Sequence, residues 1–140
     1  MPILVDSSVW IHFFRGTQTP QTNYLYANLG EIDFVTGDLI LAEVLQGFRT
    51  GNDFREAKKA LLSFEVFRMT GEENAIRSAQ NFRYLRDSGF TVFKIIHCLI
   101  ATFCISKNFA LLHSDRNFDP FEKLLDLRVI QTASDSLTTQ

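Results

Sequence analysis

Two short apolar runs in this 140-residue chain end in an acid: Ile3-Leu4-Val5 runs into Asp6, and Leu111-Leu112-His113-Ser114 runs into Asp115. If these runs are neighbouring parallel strands, ~4.8 Å apart, both carboxylates reach one edge of a sheet. One Mg²⁺ or Mn²⁺ could then sit between them at ~2.1 Å from each oxygen. A third acid, Glu43, lies among Ile40, Leu41, Val44 and Leu45, where solvent is not an obvious home for the whole helix face. Three converging acids repel one another unless a cation neutralises them. Hard oxygen ligands with open positions are what divalent-metal phosphodiester chemistry uses, so the constellation suggests a metal-dependent nuclease. Each acid also has a plainer reading: Asp6 as a helix N-cap, Asp115 as the start of a turn, Glu43 as a solvated residue or salt-bridge partner.

The elements that must hold these acids follow from apolar periodicity and stop signals. Ile3–Val5 suits a strand buried on both faces. A helix from Ser7 or Ser8 through Phe14 can be capped by serine and stopped by Gly16. Thr19–Asn28 forms a second helix with Gly30 as its stop, and Asp33–Thr36 a short strand. Asp38 caps a helix over Leu39–Phe48, Asn52 or Asp53 caps the next through Leu62, and Glu65–Arg68 reads as a third strand. Thr70, with Glu73 three residues later, forms a capping box for a long amphipathic helix reaching Gly89, its apolar face marked by Ile76, Ala79, Phe82 and Leu85.

Lys94–Ser106 is apolar nearly all round, as expected of a helix buried between other elements. Ala110–His113 and Leu127–Ile130 are the last strands, flanking a short helix near Pro120. Strands alternating with helices describe an α/β domain with a mostly parallel sheet, whose sites lie beyond the carboxyl ends of the strands. The expected domain is residues 1–131, followed by a polar tail over 132–140.

Composition narrows the classes. Hydrophobic residues at 46% and charged residues at 21% argue against a disordered chain and a membrane protein. With 14 Lys+Arg against 16 Asp+Glu the net charge is −2, so a polyanion partner depends on local charge. Arg49, Arg55, Lys58 and Lys59 cluster on one segment, and Arg77, Arg83 and Arg86 line the long helix; both groups also read as ordinary solvated faces. Fourteen Phe residues must fill the core or form a contact surface. Cys98 and Cys104 would lie ~9 Å apart along a helix axis, too far to bridge, and they lack zinc-ligand spacing, so they read as core residues of a reducing compartment. The N-terminus lacks a signal-peptide pattern, and Ile95–Ile105 is shorter than the ~20 residues needed to span a bilayer. A cytoplasmic protein is expected.

Four segments together resemble a known family. Val5-Asp6-Ser7-Ser8-Val9-Trp10-Ile11, Glu43-Val44-Leu45-Gln46-Gly47-Phe48-Arg49, Cys98-Leu99-Ile100-Ala101 and Leu111-Leu112-His113-Ser114-Asp115-Arg116-Asn117-Phe118-Asp119 look like the successive motifs of PIN-domain ribonucleases, specifically VapC-type toxins of toxin–antitoxin pairs. The resemblance runs from Ile3 to about Ile130. It implies a three-layer α/β/α sandwich, Mg²⁺- or Mn²⁺-dependent endoribonuclease activity on tRNA or other structured RNA, a homodimer, and a cognate VapB-like antitoxin. It also assigns Asp6, Glu43 and Asp115 to the acidic cluster. Ser7, Ser8, Ser114 and Asp119 become supporting hydrogen-bond or metal-water groups, with plain capping and turn roles as the alternative. Arg116, beside Asp115, is the best candidate for a phosphate contact. Excess aromatics, among them Trp10, Phe13, Phe14, Phe48, Phe54 and Phe64, fit an antitoxin groove, a dimer face or a generous core.

The chain departs from the family's pattern at His97, where the family usually carries an aspartate before Cys-Leu-Ile-Ala. His12 and Asn117 stand at two further positions where relatives often have Asp. Imidazole at 97 could shift preference toward softer ions than Mg²⁺, or, protonated, could stand in for a cation among the acids. Inactivation with fold and partner binding intact is the third route. His12 is expected on an exposed helix face and His113 at the end of a buried strand with its ring hydrogen-bonded.

Overall fold

A computed structural model describes residues 1–92 and 94–132. Five parallel strands form one sheet: β1 (Ile3–Val5), β2 (Phe34–Gly37), β3 (Glu65–Phe67), β4 (Ala110–Leu112) and β5 (Arg128–Val129). Their spatial order is β3-β2-β1-β4-β5. β1 and β4 are neighbours in the register Ile3↔Ala110, Leu4↔Leu111, Val5↔Leu112, which the two acid-ending runs require if they are to share an edge. The three central strands are buried at every position because helices cover both faces, giving the three-layer α/β/α sandwich.

The helices are α1 (Ser7–Arg15), α2 (Pro20–Asn28), α3 (Asp38–Leu45), α4 (Gly51–Leu61), α5 (Glu72–Asp87), α6 (Ile95–Lys107) and α7 (Asp119–Leu125), with a 3₁₀ turn η1 at Arg116–Phe118. Local chemistry sets most of their ends. Asp6 caps α1, and Gly16, at φ 74°, closes it. Thr19 and Thr22 cap α2 reciprocally. Among the described residues no helix is long and apolar enough to cross a membrane. Residues 133–140 of the expected tail lie outside the described residues, whereas Thr132 is buried.

Several boundaries differ from the sequence reading. α3 ends at Leu45 rather than Phe48, and β4 at Leu112 rather than His113. Thr50, not Asn52 or Asp53, caps α4, its hydroxyl accepting from the Asp53 N–H at 3.1 Å. The expected Thr70/Glu73 box does not form. Instead the Thr70 hydroxyl donates to Asp38 Oδ2 at 2.9 Å while the Met69 N–H donates to Asp38 Oδ1 at 2.8 Å. Asp38 therefore pins the loop after β3 to the start of α3.

The inward face of α5 was also misplaced by periodicity. Leu85 is fully buried, but Ile76 is 55% exposed and Ala79 and Phe82 also face solvent. The face turned inward carries Asn74, Ser78, Asn81 and Leu85. It meets α6 through Asn74 Nδ2 on the Leu99 carbonyl (3.1 Å), Asn81 Nδ2 on Thr102 Oγ1 (2.9 Å) and Cys98 Sγ on the Ser78 carbonyl (3.0 Å). Hydrogen bonds replace apolar contact there because α6 offers polar partners. Both cysteines are free and buried.

The aromatics at the N-terminal end form one cluster. Trp10 is buried with its ring 5.6 Å from Phe13, 5.7 Å from Phe14 and 5.4 Å from Phe64, and Phe14 meets Phe48 at 5.8 Å. Phe54 lies outside it and is exposed.

Candidate active site

The chain leaves the sheet from β1 to β2 to β3 in one direction, then crosses back to β4 and β5, so the switch point lies between β1 and β4. In open parallel sheets that crevice is where ligands bind. Asp6 follows β1 and Asp115 follows β4, on its two sides. Glu43 arrives from α3, which follows β2.

Asp6 is 3% exposed. Its Oδ2 accepts from the Ser8 N–H at 3.0 Å and the Ser8 hydroxyl at 2.6 Å. Burial pushes its carboxyl from 3.8 up to about 6 against those bonds; the charge of Glu43 pushes the same way, and that of His97 opposes it. The capping role and a charged-site role thus coexist in one side chain. Ser8 also accepts from the Ser114 N–H at 3.0 Å, tying the start of α1 to the loop after β4. Ser7 donates to Glu43 Oε1 at 2.5 Å, tying α1 to α3.

Asp115 is engaged at both oxygens. Oδ1 accepts from the Asn117 N–H at 3.0 Å and the Asn117 side-chain amide at 2.9 Å, and Oδ2 faces His97 Nε2 at 2.8 Å. Partial burial works against its charge, but the Asn117 N–H, the charge of His97 and the Asn117 amide together hold the carboxyl below its usual range. His97 enters from the first turn of α6, 6% exposed, with its ring edge-on to Phe118 at 5.1 Å. His113 Nδ1 accepts from the Asp115 N–H at 3.0 Å. His12 is half-buried on α1, not on an exposed face.

The fold brings Asp6 and Glu43 within electrostatic reach of each other and His97 onto Asp115. Among the described residues, no group of three or more His, Cys, Asp or Glu side chains is arranged to hold a metal ion. Arg116 is exposed in η1 and Asp119 half-buried at the start of α7; with Asp115 they line a cleft of about 470 Å³. A larger cleft of about 570 Å³, between the start of α5 and the end of α6, touches none of the acids Asp6, Glu43 and Asp115. The sequence reading missed Asn117 as the residue that orients Asp115. Its position two residues after an acid at a strand end, where that carboxylate closes an Asx-type turn by accepting from the N–H two residues on and a side-chain amide there can add a second bond, is the signal that could have found it.

A three-layer α/β/α sandwich with acids at the switch point of its parallel sheet defines the class of fold. The chain matches the PIN domain family over residues 3–124 and belongs to it. It is similar to a VapC ribonuclease of Mycobacterium bovis and to ribonuclease VapC11 of Mycobacterium tuberculosis, each 25% identical over 128 residues, covering 90% of this chain and 96% of the relative. Among solved structures it is similar to VapBC2 from Rickettsia felis bound to a promoter DNA fragment, with a TM-score of 0.74 at 15% identity over 93% of this chain and 98% of that one. FitAcB from Neisseria gonorrhoeae gives a TM-score of 0.73 at 18% identity over 92% and 96% of the two chains. These structural likenesses establish the fold.

Proposed function

We propose that this chain is a VapC-type toxin, a metal-dependent endoribonuclease that hydrolyses RNA phosphodiester bonds and is neutralised by a VapB-like antitoxin. The observation that carries this reading is the Asp6 carboxylate, 3% exposed at the switch point and within electrostatic reach of Glu43. Two carboxylates within reach of each other repel unless a cation lies between them, and their hard oxygen donors fit Mg²⁺ or Mn²⁺. Asp6 and Glu43 would hold the ion, with Asp115 as the third acid once it exchanges a present partner. A divalent ion bound there supplies an activated water and neutralises charge on the phosphate. The remaining work belongs to the protein. Ser8 and Ser7 orient Asp6 and Glu43, Asn117 orients Asp115, and Arg116 would clamp a phosphate oxygen.

His97 is the residue that tunes this site. Its contact with Asp115 occupies an oxygen that an acid at position 97 would leave to the metal. That contact favours a second reading, a catalytically impaired PIN protein that retains antitoxin or RNA binding. Apolar side chains exposed on α5, Ile76 and Tyr84, suit a second copy of the chain, and Tyr26, Phe54 and Leu62 on or beside α2 and α4 suit an antitoxin helix. The domain is taken as residues 1–131 with a polar tail, acting in the cytoplasm.

The test is cleavage of small structured RNAs, tRNA included, in Mg²⁺ and in Mn²⁺ by this chain and by His97→Asp. Expected is slow Mg²⁺-dependent cleavage by the parent and a gain of at least ~10-fold in the variant, ~1.4 kcal/mol of barrier. A folded, metal-binding His97→Asp with no gain would refute the limiting role of His97. If neither protein cleaves RNA with either ion, the nuclease reading fails.

A further inference from the structure

Glu43 after β2, Asp6 after β1 and Asp115 after β4 follow one another along the carboxyl edge of the sheet. Beyond Asp115 the same edge opens into the cleft of about 470 Å³, walled by the loop after β4, by α7, by the end of β5 and by α2. We infer that this cleft is a nucleobase subsite. It receives the base of an RNA nucleotide flanking the cleaved phosphate and favours a base with an exocyclic amino group over uracil. The inference rests on the nuclease reading above and gives a ligand to Gln21, Glu122 and Gln131, for which that reading has no use.

Position is the first argument. Adjacent strands are ~4.8 Å apart, so a cleft beyond β4 and β5 lies ~5–10 Å from the crevice between β1 and β4. A strand of RNA running along the edge with a phosphate at the acids therefore brings a neighbouring nucleotide to the cleft. Size agrees, because small-molecule sites are commonly ~300–1,000 Å³.

The lining decides between base and phosphate. Arg116, next in the chain to Asp115, is the lining residue that suits a phosphate, whereas Asp119 and Glu122 present carboxylates, which accept hydrogens from an amino group. Asp119 makes no side-chain hydrogen bond among the described residues, and Gln131 Nε2 donates to Glu122 Oε2, which sets that carboxamide beside the carboxylate. Gln131 and, from α2, Gln21 add carboxamides that donate and accept. Half-buried Val129 and Ile130 supply aliphatic surface for the face of a ring. Single-stranded RNA is read in this way, by its base edges and faces. Uracil offers one N–H between two carbonyl oxygens, so facing two carboxylates it loses most. Adenine, cytosine and guanine each present an amino group.

The test is binding of the four ribonucleoside 5′-monophosphates to the full chain in Mg²⁺, followed by the side-chain amide resonances of Gln21 and Gln131. The adenosine, cytidine and guanosine monophosphates should shift both amides, with uridine monophosphate at least ~5-fold weaker. Gln131→Ala and, from a different element, Asp119→Asn should each narrow that difference to under ~2-fold without disturbing the rest of the spectrum. Four nucleotides binding alike, or shifts that spare Gln21 and Gln131, would overturn the subsite. An RNA pool randomised at the flanking base separates the two claims. Cleavage without base preference, and without selective shifts, leaves a nuclease and removes the subsite. Selective shifts without cleavage by the chain or by His97→Asp keep the subsite and remove the nuclease.

Discussion

Asp6→Asn should stabilise the metal-free protein. The Asp6 carboxyl titrates at about 6 in the fold against 3.8 when free, so the folded state prefers it protonated. Two pKa units correspond to ~3 kcal/mol by linkage. The sign follows from the raised value: ionisation costs the folded state nothing below pH ~4, and the cost grows from there and is complete above pH ~6. Asparagine keeps an acceptor for the Ser8 N–H and hydroxyl and removes the negative charge that Glu43 opposes. In EDTA at pH 8 the variant should therefore be more stable by ~1–3 kcal/mol, or ~3–10 °C in Tm for a domain of this size. At pH 4.5 the gap should shrink below ~1 kcal/mol. Saturating Mn²⁺ should reverse the order, since an ion at ~100 times its Kd stabilises the parent by ~2.7 kcal/mol and has lost a ligand in the variant. Thermal melts over pH, with EDTA or Mn²⁺, read all three. A variant no more stable than the parent at pH 8 in EDTA would refute the claim that Asp6 is an uncompensated buried charge.

Other perturbations separate site from scaffold. Asn117→Ala removes the side-chain amide bond to Asp115 Oδ1, leaves the backbone N–H bond, and loosens the orientation of Asp115; activity should fall ~10-fold with Tm changed by under ~3 °C, checked by cleavage assay and melting. Asp38→Ala deletes acceptors for Leu39, Met69 and Thr70 and should destabilise by ~1.5–3 kcal/mol in urea unfolding. Gly37→Ala would place a methyl 2.1 Å from the sulfur of fully buried Met69, so the same experiment should show a loss of ~1–3 kcal/mol. Thr50→Ala removes the cap of α4 and should cost about 1 kcal/mol with no effect on cleavage.

The strands, the helices and the acids at the strand ends were legible in the chain alone. Those signals are local: Ile3–Val5 can only be a buried strand, Gly16 can stop a helix without strain, and Asp6 and Asp115 sit where a parallel sheet exposes its edge. The capping errors at Thr50 and Thr70 were also local in kind, because several residues nearby could cap and only the final loop path chose among them. Other features waited on tertiary structure. The inward face of α5 is polar, since the Asn74 and Asn81 side chains and the Ser78 carbonyl find partners on α6 that no periodicity can reveal. Asp6 could be read as a cap or as a charged site, and its burial beside Glu43 makes it both. His97 was conspicuous in sequence, but its hold on Asp115 depends on how α6 packs over the end of β4. Elements follow from neighbours a few residues apart; pairings of charge follow from strand order and helix packing, which join residues tens of positions apart.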